Sequence, residues 1–265
     1  MKRPIISVII PCYNTEKYLS ETLDCVINQT LKNIEIICID DGSTDRTPNI
    51  LKKYAKQDKR IKIITQKNSG VIAARNNAIA TARADYIYPL DSDDIITPDC
   101  LEKLYAAMVA GKGDIITTRV VMFSPKGRGE LSLPKPTKSN MVIHNCMVNA
   151  ALFRKKDFNE TGGYDPAFNA TIEDYDLWMN LMFKHNKKAY RIPEVLFYYR
   201  VKPGGESRNA MGASKYRELR KYMKKKYPEM RKYIIIKWAK KIARMVLKKE
   251  PNAIKIFRIP VWTRK

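Results

Sequence analysis

The sequence predicts an α/β protein with a mainly parallel sheet flanked by helices, followed by a basic helical extension. Three observations carry that expectation. Apolar, β-branched runs at Ile5 to Ile10, Ile34 to Ile39, Ile61 to Thr65 and Tyr86 to Leu90 lack the alternation of a half-exposed strand and read as strands buried on both faces. Stretches with helical apolar spacing separate them, joined by short connections, which is the pattern of a parallel sheet with crossover helices. Each strand also runs into polar residues at its carboxyl end, where sheets of this kind bind ligands.

In order, the first run is expected to stop at Pro11 and lead into a helix over Thr15 to Gln29, with Tyr18, Leu19, Leu23, Val26 and Ile27 on one face and Thr15 or Ser20-Glu21 at its start. The second strand ends on Asp40-Asp41-Gly42-Ser43, and a helix follows through Thr47 to Gln57. After the third strand comes a helix over Gly70 to Ala82, then the fourth strand, ending on Leu90-Asp91-Ser92-Asp93-Asp94. Thr97-Pro98-Asp99 opens the next helix, with Asp94 a candidate cap. Beyond residue 110 the pattern loosens into strands at Ile115 to Phe123 and Val195 to Tyr199, a loop over Ser124 to Lys138, and a helix near Asp174 to His185.

The formal net charge is +23, and residues 215–265 hold 19 Lys or Arg against 3 Asp or Glu. That block implies an acidic partner, an anionic membrane surface ahead of nucleic acid, since no base-reading motif accompanies the charge. Lys237, Lys240, Lys241, Arg244 and Lys248 fall on one helical face, and Ile234, Ile235, Trp238, Ile242 and Val246 on the other, as in a helix lying in a membrane interface. An amphipathic helix packed on the body of the protein has the same signature. Lys224 to Lys226 and Trp262 add basic and interfacial aromatic character. Cys12, Cys25, Cys38, Cys100 and Cys146 show no paired spacing, as expected of reduced cytosolic thiols. With neither a secretory signal nor a spanning segment legible, the expected location is cytoplasmic, peripheral on the inner face of a membrane.

The three carboxylates of Asp91, Asp93 and Asp94 crowd one strand end, an arrangement that calls for a hard divalent cation or a ring of donors. An Asx-rich turn is the alternative. Likewise, Pro11 can be a strand stop, Asp40 a turn cap and Arg75 a solvated helix residue. Glu173-Asp174 opens an amphipathic segment, so both carboxylates fall in a first helical turn, where the dipole favours their ionised form.

Taken in order, Ser7 to Asn14, Ile39 to Asp45, Asn68-Ser69-Gly70 with Ala74-Arg75-Asn76, Leu90 to Asp94, Gly162-Gly163-Tyr164-Asp165 and Glu173-Asp174-Tyr175-Asp176-Leu177-Trp178 resemble the family 2 glycosyltransferases of GT-A fold, over roughly residues 4 to 202. The resemblance implies a catalytic domain over residues 1–214, its nucleotide-binding half about 1–110 and its acceptor half about 111–214, with 215–265 as a tail. It implies an inverting hexosyl- or N-acetylhexosaminyltransferase that uses a UDP-sugar, Mg²⁺ or Mn²⁺, and a glycan or glycolipid acceptor. Pro11, Tyr13 and Asp41 would line the uracil pocket with Asn14 and Asp40 beside it, and Arg75 would face the diphosphate. Asp93 would be the metal ligand, supported by Asp91, with Ser92 among the residues that bind the nucleotide-sugar. The base role falls to Asp174, with Glu173 as the fallback, and a single base implies inversion because no second carboxylate is supplied as nucleophile. One departure stands out: where many members carry a His two residues after a Tyr-Arg pair, Tyr199-Arg200-Val201-Lys202 has Lys202, which cannot ligate while protonated but can contact a diphosphate. His144 and His185 match no ligand spacing. A nucleotidyltransferase would want a Gly-rich phosphate loop after the first strand, which Pro11-Cys12-Tyr13-Asn14 is not. An inactive relative that only binds nucleotide or lipid would not need Asp93 and Asp174.

Overall fold

A computed structural model describes residues 3–168, 172–202, 221–236 and 239. The four expected strands form as β1 (Ile6–Cys12), β2 (Ile34–Asp40), β3 (Ile61–Thr65) and β4 (Tyr86–Pro89), all paired in parallel in the order β3-β2-β1-β4. Pro11 does not stop β1 as expected. The Ile9 carbonyl accepts from Leu90 N–H at 2.9 Å, and alternation along the strand turns the Pro11 nitrogen to that same side, past the end of β4, so no ladder bond is lost.

Crossovers are made by α1 (Leu19–Ile27), α2 (Thr47–Gln57) and α3 (Gly70–Thr81). The α1 helix begins four residues later than expected: the Thr15 carbonyl accepts from Tyr18 and Leu19 N–H in a preceding turn, and no side chain caps the helix. Strand residues divide by parity. Val8, Ile10, Ile36 and Cys38 pack with α1, α2 and α4 (Cys100–Val109), whereas Ile9, Ile37, Ile39 and Ile87 pack with α3 and later helices.

The sheet continues without a break across the expected 110/111 division. Beyond β4 it adds β8 (Leu152–Arg154), β6 (Ile115–Ser124), β9 (Ala189–Arg200) and β5 (Ile95–Ile96), with β7 (Gly127–Leu131) on β6, making nine strands among the described residues. This half is mixed: β6 and β9 run parallel, and the other new pairings are antiparallel. Part of the expected loop after Ser124 is therefore β7, an exposed hairpin arm whose Gly127, Gly129 and charged residues carry no apolar alternation. The short helices α5 (Lys138–Met141) and α6 (Lys155–Thr161) precede α7 (Glu173–Met179), which passes into a π-helical turn at Asn180–Lys184 where the sequence suggested one helix.

The 214/215 boundary falls outside the described residues, as do Lys237, Trp238, Lys240, Lys241, Ile242, Arg244, Val246, Lys248 and Trp262 of the expected tail. Residues 221–236 are described. They are helical at 221–226 and 230–236 and dock through Met223, Tyr227 and Met230 into the core cluster holding Trp178 and Phe183. One side of this segment packs on the body of the protein, while Lys221, Lys224, Lys225, Arg231 and Lys232 face solvent; the basic face expected at Lys237 to Lys248 lies outside the described residues. Among the described residues no helix is long and apolar enough to cross a membrane, and none of the five cysteines forms a disulfide.

Candidate active site

The carboxyl ends of β1, β2 and β4 bring the expected residues onto one rim. Tyr13 follows β1 and is 50% exposed, leaving its ring open to a stacking partner. Asn14, at φ 50°, accepts from Thr44 N–H at 2.9 Å and donates its own N–H to Ser43 Oγ, tying the first rim loop to the second. Asp40 caps that second loop by accepting from Ser43 N–H at 3.0 Å. Gly42 turns the chain at φ +76°, where a Cβ would stand 2.8 Å from the Asn68 nitrogen. Asp41 accepts from Gln66 Nε2, Ser69 N–H and Gly70 N–H, so it also caps α3. Gln66 was not singled out from sequence; a polar residue just past a strand end is its only sequence signal.

Arg75 is not a solvated helix residue. It is 3% exposed on α3, donates to Asp91 Oδ1 and to Glu173 Oε1 at 2.6 Å each, and lies 5.5 Å from the Tyr164 ring centroid. One guanidinium thus joins the acidic loop after β4 to the first turn of α7. Tyr164 is held there by Asn76, which accepts from its N–H and donates to its carbonyl, both at 2.9 Å. A Cβ on Gly163 (φ +89°) would stand 2.9 Å from Asn76 Oδ1, which explains the glycine before Tyr164.

The acidic loop divides its carboxylates among three cations or donors. Asp91 pairs with Arg75; Asp93 pairs with Lys202 Nζ at 2.7 Å; Asp94 is buried and accepts from Arg200 N–H at 2.8 Å. Asp94 therefore does not cap a helix, because Ile95–Ile96 forms the short strand β5 against β9 and turns its carboxylate toward Arg200 instead. Arg200 pins the loop further: its Nε donates to the Asp93 carbonyl at 2.7 Å and its guanidinium stands 4.8 Å from the Tyr18 ring and 4.5 Å from that of Phe123. Burial and the neighbouring Asp91 charge push the Asp93 carboxyl above its usual range, with Lys202 pulling it back. Ser92 is buried between them.

Glu173 and Asp174 form the first turn of α7, both buried. The dipole does not keep Glu173 in the usual range: burial raises its carboxyl, with Arg75 drawing it down. Glu173 pairs with Arg75, and Asp174 accepts from Tyr175 N–H at 2.7 Å and from Asn145 Nδ2 at 3.3 Å. Asn145 has no signal in the sequence. Of the histidines, His144 is exposed and His185 sits 3.6 Å from Glu160.

A parallel half-sheet with its ligand rim, extended by a mixed half that returns through β9 to the acidic loop, defines the GT-A type of transferase fold. The chain belongs to the family "Glycosyl transferase family 2", whose model matches residues 7–175. It is 40% identical over 214 residues to the uncharacterized glycosyltransferase EpsJ of Bacillus subtilis, covering 76% of this chain and 62% of that protein. It is 32% identical to the chondroitin synthase of Escherichia coli over 71% of this chain and 28% of that protein. The chain thus spans less than two thirds of the length of these relatives. Among solved structures, S. aureus TarS 1-349 in complex with UDP-GlcNAc matches with a TM-score of 0.66 at 22% identity, covering 80% of this chain and 64% of that one. The mannosyltransferase PcManGT from Pyrobaculum calidifontis, in complex with GDP-Man and Mn2+, matches with a TM-score of 0.62 at 18% identity, covering 77% and 59%.

Proposed function

We propose that this chain is an inverting glycosyltransferase that moves a sugar from a UDP-sugar to a hydroxyl of a glycan acceptor, a lipid-linked or cell-surface polysaccharide precursor. The observation that carries the proposal is the Asp91–Arg75–Glu173 bridge, which sets the acidic loop and the α7 carboxylates on either side of one buried guanidinium. In the proposed step Asp174 takes the proton of the acceptor hydroxyl as its oxygen attacks the anomeric carbon. The bond from that carbon to the diphosphate oxygen breaks, the electron pair leaves with UDP, and one displacement inverts the configuration. Tyr13 would stack on the uracil, with Pro11, Asn14, Asp40 and Asp41 shaping its pocket and Ser92 and Arg75 bordering the diphosphate. UDP in a TarS complex and nucleotide sugars in the TarS and PcManGT complexes support the donor class.

The donor set at Asp93 is hard oxygen, and its charge is only partly offset by Lys202, which fits Mg²⁺ or Mn²⁺ held by one or two carboxylates and phosphate oxygens. Asp93 would hold the ion, with Asp91 supporting, and the ion would supply charge neutralisation to the departing diphosphate. Lys202, at the same carboxylate, would offer its ammonium to the diphosphate as well. The solvent-facing lysines of residues 221–236, beside Ile235 and Ile236, support contact with an anionic membrane surface.

A UDP-release assay across a panel of UDP-sugars tests the assignment. Asp93→Ala and Asp174→Asn are each expected to lower turnover by about 10²- to 10⁴-fold. Wild-type rates in both variants would overturn it.

A further inference from the structure

Asp176 has no part in the chemistry above, yet it lies two residues past Asp174 on α7 and is fully buried. Its carboxylate accepts from Tyr227 Oη at 2.7 Å and from Lys226 Nζ at 2.8 Å. The same ammonium reaches Asp165 Oδ2 at 2.7 Å and stands 5.0 Å from the Phe168 ring. Lys226 is thus the one member of the lysine run 224–226 turned inward, Lys224 and Lys225 being exposed. Docking alone does not call for this arrangement. Met223 and Met230 already bury the segment against the core, and an apolar side chain at 226 would pack without the cost of desolvating an ammonium. What the ionic contact adds is direction: a lysine between two carboxylates and a tyrosine hydroxyl on one of them fix the rotation and height of the helix they grip. Helix α7 is therefore held at two carboxylates on either side of Asp174, at Glu173 by Arg75 and at Asp176 by Lys226 and Tyr227.

We infer that Lys226 and Tyr227 are positioning residues for glycosyl transfer, holding α7 so that the Asp174 carboxylate meets the acceptor hydroxyl. The inference rests on the reading of Asp174 as base. It makes the start of the basic segment part of the active-site architecture.

The test uses the full chain with Lys226→Met, Tyr227→Phe, Lys226→Arg and, as a packing-only control, Met230→Ala. Three quantities are read: UDP release from the UDP-sugar that the wild type turns over, UDP affinity by calorimetry, and hydrogen exchange of the amides of residues 173–179. Lys226→Met and Tyr227→Phe are expected to lower kcat by about 10- to 100-fold with UDP affinity within about twofold, since misplacing a reacting group by about 1 Å costs on that order. Amide exchange at 173–179 quickens in both variants, Lys226→Arg recovers most of the rate, and Met230→Ala lowers Tm while leaving kcat near wild type at low temperature. A kcat in Lys226→Met and Tyr227→Phe matching wild type, or falling only as far as Met230→Ala does at equal loss of Tm, overturns the positioning role. Absence of UDP release by the wild type itself is a separate result, which overturns the glycosyl-transfer reading on which that role depends.

Discussion

Asp93 and Lys202 form the ion pair with the most to say about the chemistry. A 2.7 Å contact puts an ammonium on the carboxylate proposed to hold a divalent ion, so under that reading lysine and metal would compete for Asp93. The expected outcome is an enzyme whose rate depends only mildly on added metal. Lys202→Ala removes the competitor and the resident charge together, so its turnover should become at least about tenfold more sensitive to EDTA than the wild type's, and be restored by Mn²⁺. Equal EDTA sensitivity in both proteins would contradict this. The departure at 202 was legible in the sequence, as were Asp91 and Asp93, because strand-end carboxylates in a fixed order form a local pattern. The partners were not. Arg75 reaches Glu173 across 98 positions and Arg200 reaches Asp94 across 106, and no local pattern encodes which distant chain segment returns to a loop.

At the scale of elements, β1 and β2 are locked by Glu35, a buried carboxylate on a strand that otherwise reads as apolar. It accepts from Ser7 Oγ at 2.6 Å, Lys62 Nζ at 2.9 Å and Arg83 N–H at 2.6 Å. Burial alone would raise the Glu35 carboxyl, but those bonds bring it down to about 2. The unfolded value is about 4.3, so folding depresses this pKa. The stabilisation is fully present above about pH 5 and is lost as pH falls toward 2. It amounts to about 3 kcal/mol, at 1.36 kcal/mol for each pKa unit. Glu35→Gln should lower stability in urea at pH 7 by a few kcal/mol and flatten its fall between about pH 5 and pH 2. An unchanged acid limb would refute the assignment. The parallel strands around Glu35 were readable because burial on both faces leaves long β-branched runs. The β7 arm was not, since its exposed Gly and charged residues show no apolar alternation, and the Arg119–Glu130 ion pair that ties it to β6 follows no local pattern. Nor was the π-helical turn after α7, whose apolar spacing matches a continuing α-helix.

At the scale of the whole molecule, charge and architecture meet in residues 221–236. Basic composition alone left membrane contact and packing on the body as alternatives; the described segment packs on the body with one face and exposes lysines on the other, which under the proposed reading would meet an anionic membrane. Lys221, Lys224, Lys225 and Lys232 are exposed, so replacing all four by Gln should leave Tm near wild type. Each removes roughly 1 kcal/mol of attraction to anionic lipid, so binding to phosphatidylserine vesicles in flotation should weaken by up to about a thousandfold, with neutral vesicles unaffected. Undiminished flotation would show that the attraction lies elsewhere. The buried guanidinium of Arg75 carries one more consequence. Its two carboxylates come from the loop after β4 in the first half of the chain and from helix α7 in the second, so the halves are not interchangeable parts. A chimera that borrows residues 111–163 from a relative to change acceptor keeps Asp91, Arg75, Tyr164 and Glu173 together, whereas one that also borrows α7 must import a carboxylate at 173 or leave one arm of the guanidinium without its partner.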